Sequence, residues 1–171
     1  MKYHAVLQTF LANVARGEIE VWRSENPDNK YAIYFAAQLA MMDGDRKDAK
    51  ALLDEALQLL PGEPLIVSLL SVYWALLGKA KQALECVTRA CSSPKSFGHA
   101  RHTYYQIACV YALSGQRAAA FEWLERSVSC GFACWPFFLK DPCLQNLRNL
   151  PEFELLVGSL QAKYPDHLGL L

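Results

Sequence analysis

The chain has no excess of charge of either sign, because its 17 acidic residues balance its 17 basic residues. Proteins that bind nucleic acid concentrate lysine and arginine, since they must neutralise a dense row of phosphates. The balance argues against a nucleic-acid partner. It also disfavours an RNA-binding helical repeat, which needs a basic surface.

Long apolar runs are also missing. The longest, Leu65–Leu77, is interrupted by Ser68 and Ser71, and a helix that spans a bilayer takes about 20 apolar residues. The N-terminal residues do not resemble a secretory signal, because polar side chains interrupt their apolar stretch. We therefore expect no membrane insertion and a cytoplasmic location. Leu65–Leu77 fits a repeat helix that is buried on two sides.

The short motifs of common enzyme classes are absent as well. The sequence contains no Gly-x-Gly-x-x-Gly, no phosphate-loop lysine motif and no Gly-x-Ser-x-Gly elbow. Acidic residues cluster between Asp43 and Glu55, but Arg46, Lys47 and Lys50 are interleaved with them. That pattern is typical of a solvated helix face rather than of paired carboxylates in a cleft. We expect no catalytic activity and no cofactor.

Metal-binding spacing is not evident among the cysteines and histidines. Cys130, Cys134 and Cys143, with His99 or His102, could supply zinc ligands, yet no paired Cys-x-x-Cys occurs and apolar residues flank all three cysteines. We expect buried, reduced thiols that pack as small hydrophobic groups, histidines at the surface and no metal. The other cysteines of the chain are Cys86, Cys91 and Cys109, and the other histidines are His4 and His167.

What the chain does contain is an internal repeat. Gly44, Ala49 and Ala56 recur as Gly78, Ala83 and Ala90, a step of 34 residues, and Gly115 and Ala120 follow at a step of 37. A period of this size is typical of stacked helical repeats, in which each unit completes its core with its neighbours. The repeat predicts a binding scaffold rather than an active site.

The repeated residues suit a helical hairpin. Glycine can adopt the positive φ that ends the first helix, and alanines seven residues apart share one face of the second. Asp45 is placed to cap that second helix and Asp48 adds a favourable charge in its first turn. The segment Pro61–Pro64 cannot continue the helix.

The stretch Tyr31–Gly44, continued by Ala49, Ala56, Leu57 and Pro61, resembles a tetratricopeptide repeat. A second copy begins at Pro64 and a third at Arg101, with Tyr111, Gly115 and Ala120 at matching places. Departures from the family pattern are Ala40, Trp74 and Ser127. The resemblance implies an all-α, right-handed solenoid of helical hairpins.

We therefore predict one domain over residues 1–171. Its parts are an N-terminal capping helix region at 3–27 with a bend at Gly17, repeats at 28–61, 62–95 and 99–131, and a C-terminal cap at 132–171. The longer third step places a lengthened loop at Ser92–Gly98.

The segment Cys130–Phe153 resembles the closing segment of tetratricopeptide regions in bacterial multidomain signalling proteins. Its own residues predict two helix starts, at Asp141-Pro142 and at Pro151-Glu152. Apolar anchors lie between them, so we expect a lid over the open end of the stack, ending near Lys163. These anchors are Trp135, Phe137, Phe138, Leu144, Leu147 and Phe153.

In tetratricopeptide stacks the first helix of each hairpin lines the concave face, so the resemblance implies a groove position by position. The predicted groove is aromatic and apolar, although Leu65 and Val72 also fit ordinary core. Its residues are Tyr31, Tyr34, Gln38, Met41, Leu65, Ser68, Val72, Ala75, His102, Tyr105, Gln106 and Cys109.

The groove sequence predicts its partner only as a class. Family members that grip acidic chaperone tails use a lysine, asparagine and arginine clamp, whereas the matching places here include Tyr34, Leu69 and His102. We expect no acidic chaperone tail. The leading hypothesis is a non-enzymatic adaptor that binds an apolar helix or extended peptide. The alternatives are a self-assembling homo-oligomer, such as a homodimer, and a secretion-type chaperone for hydrophobic client proteins.

Overall fold

The computed structural model describes residues 15–92 and 99–165, and within these ranges it contains helices and turns but no strand. The all-α solenoid of helical hairpins with capping helices is confirmed. The helices are α1 Ala15–Glu25, α2 Lys30–Met42, α3 Arg46–Leu59, α4 Pro64–Leu76, α5 Ala80–Ser92, α6 Ala100–Leu113, α7 Arg117–Ser129, α8 Trp135–Lys140 and α9 Pro151–Lys163, with a 3-10 turn η1 at Pro142–Leu144.

The turn glycines behave as the repeat predicts. Gly44, Gly78 and Gly115 have φ values of 78°, 71° and 74°, a conformation that side chains with a β-carbon rarely adopt. The repeated alanines of the second helices are fully or almost fully buried: Ala49, Ala56, Ala83, Ala90 and Ala120. Asp45 caps α3, because its side chain accepts a hydrogen bond of 3.0 Å from the backbone N–H of Asp48.

Consecutive helices pack as hairpins: α2 with α3, α4 with α5, and α6 with α7. The inner helices α4 and α6 also pack against each other, and α1 packs on α2. Every residue from Pro64 to Tyr73 is buried, which confirms that this part of Leu65–Leu77 is covered on two sides. The end of α4 emerges from the core, since Leu76 is 39% exposed.

In the third hairpin a serine, Ser127, stands where the other copies have their last repeated alanine, and its hydroxyl has a hydrogen-bond partner. Ser127 is fully buried, and its hydroxyl donates a 2.7 Å hydrogen bond to the backbone carbonyl of Arg101. A small side chain with one hydrogen-bond partner therefore serves where alanine stands in the other copies. Residues 93–98 of the predicted long loop lie outside the described ranges.

The N-terminal cap is described from Ala15. Its residue Ile19 is 1% exposed, and the ring centroids of Trp22 and Phe35 lie 6.3 Å apart, which ties α1 to α2. Gly17 is the third residue of α1. A bend at Gly17 is an angle between the segments before and after this residue. Since residues 3–14 lie outside the described ranges, the bend stays a prediction.

The C-terminal segment has the local structure that its prolines predict. Asp141 caps η1 by accepting a hydrogen bond from the N–H of Cys143, Pro151 opens α9, and α9 ends at Lys163. All six predicted anchors are buried. None of the helices described is long and apolar enough to cross a membrane; the cytoplasmic location stays a prediction.

Candidate functional site

The concave side of the stack holds a cavity of about 340 Å³, which we call the main groove. Its walls come from two places: the inner helices α2, α4 and α6 on one side, and the segment from α8 through η1 on the other. The residues that line it are Gln38, Met41, Met42, Leu69, Val72, Leu76, Tyr105, Gln106, Cys109, Phe137, Lys140, Asp141, Pro142 and Cys143. Ligand pockets begin at about this size.

The main groove combines accessible apolar side chains with one unsatisfied polar atom. Met42 is 47% exposed and Leu76 is 39% exposed, so both can contact an incoming molecule. Among the residues described, Gln38 Oε1 is buried without a hydrogen-bond partner. A buried acceptor without a donor is costly, so a turn of the Gln38 amide toward the groove would let a ligand N–H supply the hydrogen bond that the free protein lacks.

The twelve predicted groove residues fall into three places. Six line the main groove: Gln38, Met41, Val72, Tyr105, Gln106 and Cys109. Four line a smaller cavity of about 150 Å³, which also contacts Trp22, Phe35 and His99: Tyr31, Tyr34, Leu65 and His102. Ser68 is fully buried, and half-buried Ala75 packs against the core.

A buried polar network separates the two cavities. The Gln106 amide donates a 2.6 Å hydrogen bond to the Tyr34 hydroxyl, and the Gln106 carbonyl oxygen accepts one of 2.5 Å from the Ser68 hydroxyl. Tyr34 lies on α2, Ser68 on α4 and Gln106 on α6, so the network joins all three inner helices. Gln106 lines the main groove and Tyr34 the smaller cavity.

The network explains why so much of the predicted groove is covered. Tyr34, Ser68 and Gln106 are each no more than 4% exposed, because they satisfy one another across the concave face. Burial raises the pKa of the Tyr34 hydroxyl well above its usual value, and the hydrogen bond from Gln106 offsets only part of this rise. Their assignment as peptide-binding residues stays a prediction.

The second wall of the main groove is fixed by Tyr105. Its hydroxyl donates a 2.6 Å hydrogen bond to Asp141 Oδ2, and its ring stacks on Phe138 with centroids 5.4 Å apart and an interplanar angle of 11°. Burial, together with the negative charge of Asp141, raises the pKa of Tyr105. The C-terminal segment therefore forms a groove wall, a role that goes beyond the expected lid.

Sequence reasoning missed this wall and the groove rim. Met42 and Leu76 lie at the last positions of α2 and α4, beyond the family positions from which the groove was inferred. The residues from Phe137 to Cys143 belong to no repeat, so the 34-residue register carries no signal for them. The capping pair Asp141-Pro142 and the apolar anchors Phe137 and Phe138 were local signs of their structure, but they indicated a lid and not a groove wall.

Two expectations about titratable side chains are wrong. His102 was expected at the surface, but it is 4% exposed because its ring packs edge-on against Phe132 at a centroid distance of 5.2 Å. The cysteines were expected to be buried, but Cys130 is exposed in the turn after α7 and Cys91 is exposed near the end of α5.

The cysteines that the sequence grouped as zinc ligands do not come together. Among the residues described, the group of three or more metal-ligating side chains that forms is Cys109, Asp141 and Cys143, so only Cys143 belongs to the predicted set. Burial raises the pKa of the Cys109 thiol. All three side chains line the main groove.

Fold and groove together define an all-α helical-hairpin solenoid with an apolar concave cavity. No protein-family model matches the chain, and no curated protein matches it. Among solved structures it is similar to PilW, a widely conserved type IV pilus biogenesis factor, with a TM-score of 0.60 and 19% sequence identity over 98% of this chain and 79% of the PilW chain. At that identity the similarity is one of fold.

Proposed function

We propose that this chain is a non-enzymatic adaptor that binds an apolar segment of a partner protein, helical or extended, in the main groove. The observation that carries the proposal is the cavity of about 340 Å³ with exposed Met42 and Leu76 and the unpaired Gln38 oxygen. Helical-repeat scaffolds bind partners on surfaces of this kind.

The gain from binding has two sources. Full burial of an exposed leucine or methionine side chain contributes about 1.5–3 kcal/mol. Met42 and Leu76 are 47% and 39% exposed, so covering each of them would contribute about half of that at most. A partner N–H that pairs with Gln38 Oε1 adds a hydrogen bond to an atom that is already desolvated in the free protein. Apolar side chains give the affinity, and the Gln38 oxygen favours one register of the bound segment.

The charges near the groove support the exclusion of acidic tails. Lys140 and Asp141 are adjacent lining residues of opposite sign, so the groove offers no pair of basic side chains for a terminal carboxylate. A fluorescence titration with an acidic tail peptide is expected to show no saturable binding. Micromolar affinity would contradict this part of the proposal.

Photocrosslinking tests where a partner binds. A photoreactive phenylalanine analogue is placed at Leu76 and, as a matched control, at Leu155 on α9, which is 75% exposed and does not line the groove. We expect adducts from a lysate of the source cells at position 76 only. Mass spectrometry of the adduct peptide should identify an apolar segment.

Charge substitutions complete the test. Met42→Glu is expected to abolish adduct formation at position 76, because a carboxylate would have to be desolvated in the groove. Leu155→Glu is expected to leave that adduct unchanged, and circular dichroism should show the same helical content in both variants. Adducts of equal yield at positions 76 and 155 would refute the groove as the binding site.

The identity of the adduct separates the alternatives. An adduct with a second copy of the chain would support the homodimer, and one with a hydrophobic secreted protein would support the chaperone. The fold similarity to PilW makes proteins of type IV pilus biogenesis the first candidates to look for.

A further inference from the structure

Three side chains with metal-ligating atoms meet at one wall of the main groove. One ligand atom each from Cys109, Asp141 and Cys143 lies within 4.8 Å of the others. Cys109 belongs to α6, whereas Asp141 and Cys143 flank Pro142 at the start of η1. Residues that are more than 30 positions apart are therefore brought together by the packing of the C-terminal segment on α6.

The carboxylate of this group is held by hydrogen bonds. Asp141 Oδ1 accepts a 2.8 Å hydrogen bond from the N–H of Cys143, and Asp141 Oδ2 accepts the 2.6 Å hydrogen bond from the buried Tyr105 hydroxyl. The Arg148 guanidinium donates to the backbone carbonyl of Asp141. Carboxylates that bind metals are usually oriented by outer partners of this kind.

The spacing suits a tetrahedral cation. With zinc–sulfur bonds of about 2.3 Å and zinc–oxygen bonds of about 2.1 Å, ligand atoms in such a site lie about 3.6–3.8 Å apart. The observed limit of 4.8 Å needs a contraction of about 1.2 Å at most. Rotation about the side-chain bond of half-buried Cys143, with small shifts of Asp141 within its hydrogen bonds, can supply that contraction.

The donor set selects the class of metal. Two cysteine sulfurs favour thiophilic ions such as Zn²⁺ over Mg²⁺ and Ca²⁺, which take oxygen ligands. Three protein ligands leave a fourth tetrahedral position, and all three ligands line the main groove. A site with three protein ligands and one open position can bind water or a group from another molecule.

We propose that Cys109, Asp141 and Cys143 bind a thiophilic divalent cation, Zn²⁺ being the example, whose fourth coordination position faces the main groove. The site goes beyond the proposed adaptor function and does not require a bound partner. It would add one coordinating position to a groove that is lined mostly by apolar side chains.

Co²⁺ is the probe that tests this site. The full chain, reduced and freed of metal, is titrated with Co²⁺, because its visible bands report tetrahedral geometry and its thiolate charge-transfer bands report bonds to sulfur. We expect one Co²⁺ per chain with both features, followed by displacement when Zn²⁺ is added. Zn²⁺ should also raise the midpoint of thermal unfolding, since it binds the folded state.

Cysteine variants decide which side chains bind. Cys143→Ser is expected to reduce the charge-transfer band and to weaken Zn²⁺ binding by at least about 100-fold, the largest loss usual for an outer partner alone. Cys91→Ser and Cys130→Ser, at exposed positions, are matched controls that should leave both measurements unchanged. Asp141→Asn keeps a capping side chain and should weaken Zn²⁺ binding without changing the charge-transfer band per bound ion.

The same measurements can overturn the proposal. Absence of a thiolate band, a band that keeps its full intensity in Cys143→Ser, or a band lost in either control would each exclude this site. Circular dichroism checks that the variants fold. Cys143 is half-buried, so Cys143→Ser decides the matter if Cys109→Ser, at a buried position, does not fold.

Discussion

Replacing Gln106 by leucine removes the side chain that joins the three inner helices. The Tyr34 hydroxyl then loses the 2.6 Å hydrogen bond from the Gln106 amide and remains buried. The Ser68 hydroxyl loses its Gln106 acceptor but keeps the Leu65 carbonyl at 3.0 Å. One buried group is thus left without its partner, which costs about 1–3 kcal/mol of unfolding free energy.

Tyr34→Phe breaks the same hydrogen bond from the other side. It leaves the Gln106 amide unpaired in the core and should also cost about 1–3 kcal/mol. In the double variant Tyr34→Phe/Gln106→Leu neither polar group remains, so the cost of that bond largely disappears. We expect a coupling free energy of about 0.5–3 kcal/mol between the two substitutions.

Urea unfolding measures these free energies, followed by both circular dichroism and tryptophan fluorescence to check for a single transition. A cost of about 2 kcal/mol should lower the midpoint of thermal unfolding by about 4–8 °C in a chain of this length. Gln58→Leu is the matched control, because the same change at an exposed position of α3 should stay within about 0.5 kcal/mol. Strict additivity in the double variant would refute the reasoning.

Three further predictions concern stability. Gly78→Ala should lower the unfolding free energy by about 1–2 kcal/mol through its φ of 71° alone, since an added Cβ meets no atom within 4 Å. Gly158→Ala inside α9 is equally unobstructed and should raise the unfolding free energy by about 0.5–1 kcal/mol. Urea midpoints that move in the same direction for both variants would contradict this. Asp45→Ala should lower the unfolding free energy by about 1 kcal/mol and Asp45→Asn by much less, because asparagine also caps helices. Equal decreases of the thermal unfolding midpoint in the two variants would argue against a capping role of Asp45. Burial raises the pKa of Tyr34 above its unfolded value of about 10, so the unfolded state releases the Tyr34 proton first as pH rises. The unfolding free energy therefore falls above pH 10, by about 1.4 kcal/mol per pH unit for this group. Tyr34→Phe should make this alkaline decline shallower, and an unchanged slope would exclude Tyr34 as its cause.

The repeat made the fold predictable from the sequence. Gly44, Gly78 and Gly115 each need a positive φ, a requirement that few residues other than glycine can meet. Ala49 and Ala83 are fully buried where two helices approach closely, so a small side chain is required at that spacing. Such constraints act on single residues at fixed intervals, and for that reason they are visible in one sequence without relatives.

The groove was less predictable, because register gives the face of a residue and not what covers it. Tyr34, Ser68 and Gln106 were correctly placed on the inner helices, yet they contact one another and fill the concave face there. Whether side chains on one face meet or leave space depends on helix spacing at the level of a few ångströms. The spacing of small residues along the chain does not carry that information.

The wall from Phe137 to Cys143 gives the main groove side chains that the repeats do not supply. The inner helices supply apolar side chains that many helical repeats could offer, whereas Lys140, Asp141 and Cys143 supply the charges and the thiol that line the main groove from the cap. The cap is held to α6 by the Tyr105–Asp141 hydrogen bond and by the packing of Phe138 on Tyr105. Tyr105 therefore fixes the position of the wall relative to the repeats, and we expect substitutions in the cap to change the chemistry of the main groove while the stack of hairpins stays the same.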